Sequence, residues 1–296
     1  MLRIFAMDDE RLANRRLVRR HFDRAAAGYD DAAVLQHEVS RRMLGRLDYI
    51  RHVPRAILDA GAGTGGALGS LRKRFPGATL YALDVAFGML AHLQTPWWLR
   101  AVGQRPARAI CADIEQLPLR DAAFSMVWSN LALQWIREPR RAFNEVLRVL
   151  ESGGLFMFST FGPDTLKELR EAFRNTDHYS HVNRFIDMHD LGDMLLHAGF
   201  AEPVMDMEHI TLTYPDVRAL MRDLKAIGAQ TVTADRRPGM MPRSTLKTAE
   251  RNYEAWRRDG HLPATFEVVY GHAWKREPRT TADGRHIIDI KVHSAR

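Results

Sequence analysis

The chain has 296 residues, 46% of them hydrophobic and 27% charged, so it is long enough to bury a sizeable core in one large domain. Its single cysteine, Cys111, excludes a framework of internal disulfides and fits a reducing compartment. No apolar run approaches the ~20 residues that a membrane span requires. We therefore expect a cytoplasmic protein that does not cross a membrane.

The formal net charge of +7 comes largely from two arginine-rich stretches. One spans residues 11–24 and the other residues 236–258. Such stretches are compatible with solvated helix faces, with an acidic protein partner, or with nucleic acid. The sequence contains no zinc-finger spacing and no interleaved basic and aromatic residues, so nucleic acid is the least favoured of the three.

Helical periodicity comes first in the chain. Leu17, Val18 and Phe22 recur at helical spacing, as do Leu35, Val39, Met43 and others after Gly28. We therefore predict an N-terminal helical cap over residues 1–52.

From residue 53 the pattern alternates between apolar runs and helical segments, which predicts a parallel sheet with crossover helices. The predicted strands are 56–59, 78–84, 107–112, 124–129, 154–160, 203–213 and 264–274, and Gly153 and Gly154 form the turn into the fifth. The predicted helices are 65–75, 86–94, 139–150, 165–173, 191–198, 216–227 and 244–258. This makes residues 53–276 one domain with a seven-stranded, mostly parallel, Rossmann-like sheet and helices on both faces. Helical insertions fall at about 164–200 and 216–260, and residues 277–296 form a polar tail.

A glycine-rich turn follows the first predicted strand. Asp59 ends the strand, Gly61, Gly63 and Gly65 follow at alternate positions, and Asp84 ends the next strand. A turn of this kind lets a ligand approach the backbone, and an acid at the position of Asp84 is suited to hold a ribose. A carboxylate at Asp59 would repel the pyrophosphate of a dinucleotide, whereas it would favour the ammonium and sulfonium of S-adenosylmethionine.

The spacing of Asp59, Gly61, Gly63 and Gly65 resembles the first motif of class I methyltransferases. This resemblance implies S-adenosylmethionine as the cofactor. Because a ligand of an open α/β sheet lies beyond the carboxyl ends of the strands, Asp113 is predicted to accept from the adenine amine and Ile114 to cover the ring. Ser129 and Asn130, after the fourth strand, are predicted beside the sulfonium and the incoming substrate.

Several longer segments resemble the malonyl-[acyl-carrier-protein] O-methyltransferase family. They cover roughly residues 20–275, and those after residue 158 are the most specific; they are 22–30 with Leu35 and Gln36, 129–135, 158–170, 182–190 and 266–275. The resemblance implies methylation of the free carboxyl of a malonyl thioester on an acidic acyl carrier protein, the first committed step toward the pimeloyl part of biotin. Tyr29 and Arg24 would then belong to a lid, and Arg184 would bind the malonyl carboxylate. The predicted catalytic residues are Tyr29, Arg184 and Asn130.

Two alternatives remain open at this stage. Parts of the same resemblance, such as residues 165–170, also occur in methyltransferase-like assembly factors of respiratory complex I, which are associated with arginine hydroxylation. The second alternative is a methyltransferase that acts on a free dicarboxylate. Gln36 and the segment 268–275 favour the carrier-protein enzyme. We predict no metal site, because no spacing of histidine and cysteine residues suggests one. We expect Cys111, in an apolar run, to be buried.

Overall fold

A seven-stranded sheet forms the centre of the protein. The computed structural model describes residues 14–93, 106–233, 235–237 and 239–277. The strands are β1 (Ala56–Ala60), β2 (Thr79–Asp84), β3 (Arg108–Cys111), β4 (Phe124–Ser129), β5 (Leu150–Phe161), β6 (Phe200–Tyr214) and β7 (Leu262–Lys275). Their order across the sheet is β3-β2-β1-β4-β5-β7-β6. Of these seven strands, β7 alone runs opposite to the other six, so the predicted mostly parallel sheet is confirmed.

Helices cover both faces of this sheet. They are α1 (Arg15–Ala25), α2 (Tyr29–Ala32), α3 (Val34–Arg46), α4 (Leu68–Arg74), α5 (Phe87–Ala91), α6 (Pro139–Val149), α7 (Lys167–Phe173), α8 (Met188–Ala198), α9 (Val217–Ala226) and α10 (Arg243–Tyr253). Local sequence fixes several of their ends. Asn14 caps α1 by accepting from the amides of Arg16 and Leu17, and Gly199 ends α8 at a φ of +103°.

Alternate strand residues build two separate cores. Ile57 and Trp128 point to the face on which α3 packs with Val39 and Met43, all fully buried. Residues on the opposite face, such as Leu58, pack against α6 in a second cluster. Part of the predicted N-terminal cap, helix α3, is therefore integral to the core, which leaves α1 and α2 as the part that covers the strand ends.

Two local expectations, for the glycine pair before the fifth predicted strand and for Cys111, are wrong. Strand β5 begins at Leu150, before the glycine pair predicted as a turn, and the pairing of β4 with β5 shifts register between Phe124 and Met126. Cys111 is exposed, not buried, because β3 is an edge strand. The predicted tail lies outside the described residues beyond Glu277. No helix of the described part is long and apolar enough to cross a membrane.

Candidate functional site

A cavity of about 800 Å³ lies beyond the carboxyl ends of β1, β2, β3 and β4. We call it the nucleoside cavity. Loops after these strands form its floor, and helix α1 covers it with Val18 and Phe22. The ring of Phe22 packs edge-on against Trp135, with 5.4 Å between the ring centroids. The cavity lies where an open α/β sheet binds its ligand.

The glycine turn after β1 is shaped by one close approach and one hydrogen bond. Gly61 has a φ of +85°, and a Cβ atom there would lie 2.3 Å from the Cβ of Ala132, so no other residue fits without rearrangement. Gly63 also has a positive φ, +55°, and its amide donates to Asp84 Oδ2 at 2.9 Å. The turn therefore leaves a glycine backbone facing the cavity.

Asp84 ends β2 on the wall of the nucleoside cavity. Its two carboxylate oxygens accept from the amides of Gly63, at 2.9 Å, and Ala86, at 2.8 Å. Burial raises its pKa, while these amide hydrogen bonds oppose the rise. Each carboxylate oxygen retains a further lone pair, so Asp84 remains suited to the predicted ribose contact.

Asp59 lies in a smaller adjoining cavity of about 410 Å³, which we call the ammonium cavity. Its side chain is buried, and its Oδ2 has no hydrogen-bond partner among the described residues. Gln36 lines the same cavity, and its Oε1 is also buried and without a partner there. Two unpaired acceptor oxygens at one place fit a cationic donor such as the methionine ammonium of the cofactor.

The protonation of Asp59 follows from its surroundings. Burial and the neighbouring charge of Asp84 raise the pKa of Asp59 to about 8. The carboxyl group is thus largely neutral near pH 7 in the ligand-free protein. A bound cation would favour the carboxylate, so cation binding in this cavity would be coupled to the titration of Asp59.

Asp113 and Ile114 line the nucleoside cavity as predicted. Asp113 Oδ1 accepts from the amide of Glu115 at 2.9 Å, and its Oδ2 lies 3.3 Å from Arg15 Nε. Arg15 also bonds through Nη2 to the buried carboxylate of Glu115. The predicted adenine-binding loop is therefore tied to helix α1.

Tyr29 lines both cavities, at the start of α2. Burial raises its pKa, and the charges of Asp84 and Asp30 raise it further, so the phenol stays protonated and can donate. Arg24, predicted with Tyr29 in a lid, is exposed and is absent from the residues that line the nucleoside cavity.

Ser129, the last residue of β4, and Asn130, which follows it, both form hydrogen bonds within the protein. Asn130 lines both cavities, but its Nδ2 donates to the carbonyl of Gln36 at 3.0 Å and its Oδ1 accepts from Ser159 at 2.9 Å. The Ser129 hydroxyl is fully buried and donates to the carbonyl of Ala60 at 2.8 Å. Ser129 does not line either cavity, contrary to its predicted place beside the cofactor.

Arg184 lies in a third cavity, of about 660 Å³, which we call the arginine cavity. The segment 133–136 separates it from the nucleoside cavity, and Ile136 lines both. No ion pair joins Arg184 to any other described residue. The charge of Arg184 adds to the burial that lowers the pKa of Arg170, so two guanidinium groups lie near each other. Such a pair attracts an anion.

Sequence reasoning missed the contacts that hold α1 and α2 over the cavity. Arg15 reaches the loop after β3, the carboxylate of Asp23 accepts from the amide of Gly88 at 2.7 Å after β2, and Asp30 accepts from the hydroxyl of Thr64 after β1. Each partner lies far away in the sequence. The one available signal for Arg15, its place in an arginine-rich stretch, does not identify its partners.

Comparison with known proteins agrees with this geometry. A family model described as a methyltransferase domain matches residues 58–158. The chain is 55% identical over 282 residues to the malonyl-[acyl-carrier protein] O-methyltransferase of Nitrosospira multiformis, covering 90% of this chain and 91% of that protein. It is 53% identical to the protein of the same name from Gallionella capsiferriformans, covering 95% and 97%. The YcgJ protein of Bacillus subtilis shares the fold, with a TM-score of 0.57, 17% identity and coverage of 80% and 99%.

Proposed function

The chain belongs to the malonyl-[acyl-carrier protein] O-methyltransferase family, and we propose that it methylates the free carboxyl of a malonyl thioester carried by an acyl carrier protein. The observation that carries this proposal is identity above 50% across at least nine tenths of the chain. The similarity thus extends well beyond the methyltransferase domain at residues 58–158 and includes the segment around Arg184. The alternatives of an assembly factor and of a free-dicarboxylate enzyme are not favoured.

The cofactor is S-adenosylmethionine, and the residues of the two adjoining cavities fit it. Asp59 and Gln36 present unpaired oxygens for its ammonium, and Asp84 lies where the ribose is expected. Asp113 and Ile114 are assigned to the adenine, and the glycine turn of Gly61, Gly63 and Gly65 to the backbone contacts. When bound, the cofactor supplies an electrophilic methyl group on a sulfonium.

The substrate side needs orientation more than acid–base catalysis. A malonyl carboxylate is already ionised at neutral pH, so the protein has to align it with the methyl donor and exclude water. Arg184, with Arg170 nearby, supplies the positive charge that attracts this carboxylate. Tyr29 supplies a neutral hydroxyl donor at the junction of the nucleoside and ammonium cavities.

Asn130 is assigned a positioning role instead of the predicted catalytic one, because both ends of its amide already have partners. Its bonds to Gln36 and Ser159 join α3 to β5, next to the unpaired Gln36 Oε1. We propose that Asn130 holds Gln36 toward the cofactor ammonium. Residues 1–52 would serve as the cap, with α1 and α2 as its covering part, on a methyltransferase domain of residues 53–276.

Methylation removes a charge from the end of the malonyl group. A charged end would be rejected by an apolar chain-elongation site, whereas a methyl ester would be accepted there. The product therefore fits a primer that fatty-acid elongation in the cytoplasm extends to form the pimeloyl part of biotin. The acyl carrier protein partner is expected to be acidic, which complements the net charge of +7.

The test is transfer of a labelled methyl group from S-adenosylmethionine to malonyl-carrier protein. Acetyl-carrier protein and free malonate serve as parallel acceptors. Base-labile label on the malonyl-carrier protein alone would establish a carboxyl methyl ester. Tight cofactor binding with no transfer to any acceptor would support the assembly-factor alternative, and equal transfer to free malonate would support the dicarboxylate enzyme.

A further inference from the structure

A fourth cavity lies outside the methyl-transfer site. It is an open groove of about 870 Å³ between α1, α7, α9 and the segment 229–241, and we call it the basic groove. The ionisable side chains among the described residues that line it are all lysine, arginine or histidine: His21, His181, Lys225, Arg236 and Arg237. No described carboxylate lines the groove. This one-sided charge distinguishes it from the nucleoside and ammonium cavities, which carboxylates help to line. The arginine cavity, lined by Arg137 and Arg184, is also cationic.

Two of these cations have no counter-ion within the described chain. Lys225 is exposed in the last turn of α9, and Arg236 is half-buried beside it in the lining. Neither forms an ion pair with another described residue. Arg237, by contrast, lies 3.7 Å from Asp177 and over the ring of Tyr179. Lys225 and Arg236 are therefore available to a partner.

Further arginines extend the charge along α1. His21 faces the groove, and burial together with the charges of Arg236, Arg20 and Arg24 lowers its pKa. Arg20 and Arg24 are exposed. Charges from both arginine-rich stretches of the sequence thus converge at one surface, although the stretches are more than 200 residues apart.

The floor of the groove is apolar. Phe173 and Leu169 of α7 face Met221 and Leu224 of α9, with Met241 beside them. Met240, next in the chain to Met241, is 93% exposed. A cationic rim around an apolar floor matches a helix that carries acidic residues on either side of an apolar stripe.

The basic groove adjoins the methyl-transfer site through shared elements. On α1, His21 lines the groove and the next residue, Phe22, lines the nucleoside cavity. Residues 181 and 231 line the groove, whereas 183 and 232 line the arginine cavity. The two segments are joined by the bonds from Thr231 Oγ1 to the carbonyl of His181, at 2.9 Å, and from the Val232 amide to Asn183 Oδ1, at 3.2 Å. The two hydrogen-bonded segments therefore separate the basic groove from the arginine cavity.

We propose that the basic groove is the docking surface for an acidic helix of the acyl carrier protein, which presents its malonyl thioester to the neighbouring cavities. The proposal rests on the proposed function and adds where the partner binds. Lys225 and Arg236 make the ion pairs, and Arg20 and Arg24 extend the attraction along α1. Both arginine-rich stretches would thus contribute to binding the same partner.

The test compares charge reversal in the groove with charge reversal elsewhere. The variants are Lys225→Glu, Arg236→Glu and the double variant, and the control is Lys73→Glu, an exposed lysine at the end of α4. Helix α4 ends just before β2 begins, at the amino ends of the strands, whereas the nucleoside cavity lies beyond their carboxyl ends. Two acceptors are used: malonyl-carrier protein and the small thioester malonyl-N-acetylcysteamine, which has neither a protein part nor a phosphate.

We expect the double variant to raise KM for malonyl-carrier protein about tenfold or more, with kcat little changed and a weaker dependence on salt. Turnover of the small thioester and the Kd for S-adenosylmethionine should stay at the wild-type values, as should all properties of Lys73→Glu. If the double variant fails to fold, Lys225→Gln and Arg236→Gln provide the same comparison with a smaller expected effect.

Three results would overturn the docking proposal: an unchanged KM for malonyl-carrier protein, an equal loss with both acceptors, or a loss of oligonucleotide binding with carrier binding intact. Fluorescence anisotropy of labelled malonyl-carrier protein measures binding without turnover. Failure of the docking proposal can be told apart from failure of the proposed function. If the proposed function is wrong, the wild-type protein methylates neither acceptor, whatever the anisotropy shows.

Discussion

Arg15 of helix α1 donates to the carboxylate of Glu115 across 100 residues of sequence, and this pair closes α1 over the nucleoside cavity. Glu115 is only 4% exposed, and its other oxygen accepts from the Arg137 amide at 2.9 Å. Removal of the guanidinium would leave a buried carboxylate with one fewer donor. The covering helix and the loop after β3 are thus coupled in stability.

Arg15→Ala should lower the free energy of unfolding by about 1–2 kcal/mol, because Glu115 loses a charged donor while Arg15 itself is partly solvated. Urea denaturation measures the effect. A double-mutant cycle with Glu115→Gln should show that the two changes are not additive. Fully additive losses would mean that the pair does not couple α1 to the loop.

Asp59→Asn should raise the Kd for S-adenosylmethionine about 10- to 100-fold, because an amide cannot form a charge-assisted bond with the ammonium. The wild-type carboxyl, with its pKa of about 8, should release close to one proton on binding at pH 7. Calorimetry in buffers of different ionisation enthalpy measures that proton. Its absence in the wild type, or its persistence in Asp59→Asn, would remove Asp59 from the ammonium site.

The same group makes a prediction for stability without ligand. The folded pKa of Asp59 is raised, so between about pH 4 and pH 8 the folded state binds more protons than the unfolded state. Its contribution to stability is therefore greatest at low pH and declines as pH rises toward 8. The difference in stability between Asp59→Asn and the wild type should shift in favour of the variant as pH rises from about 4 to about 8. Above that pH the difference should stay constant. Denaturation series at several pH values would test this, and a constant difference would contradict it.

Arg184→Ala should raise KM for malonyl-carrier protein about 10- to 100-fold by removing the partner of the carboxylate, while the Kd for S-adenosylmethionine stays unchanged. Arg174→Ala is the matched control, because Arg174 is exposed and pairs only locally, with Glu171 at 2.8 Å. Arg184→Lys should recover part of the loss, since lysine restores the positive charge but cannot bind a carboxylate through two parallel hydrogen bonds as a guanidinium does. Equal weakening of cofactor and substrate binding would point to a structural role instead.

Gly61→Ala should cost about 2 kcal/mol or more of stability and weaken cofactor binding, because the added Cβ would collide with Ala132 at a φ of +85°. Gly69→Ala in α4 is the control, since a Cβ there meets no heavy atom within 4 Å. That control should be neutral or stabilising by up to about 1 kcal/mol. Thermal unfolding with and without S-adenosylmethionine measures both effects, and similar behaviour of the two variants would contradict the close-approach argument.

Local sequence determined the sheet and the cofactor motif. Strand alternation, the glycine spacing from Gly61 to Gly65 and the acids at Asp59 and Asp84 act over a few residues, so their structure follows from backbone preference and periodicity. The segments that carried the family resemblance likewise required only the sequence.

Tertiary structure decided what each polar group contacts. Only the fold shows that the Ser129 hydroxyl bonds to β1, that Asn130 joins α3 to β5, and that Arg184 lies in a cavity next to the nucleoside cavity. Likewise, Cys111 is exposed because β3 is at the sheet edge, and residue 15 meets residue 115 because α1 crosses the strand ends. These contacts join residues far apart in the chain, and no local pattern encodes them, because side-chain partners are set by packing between elements.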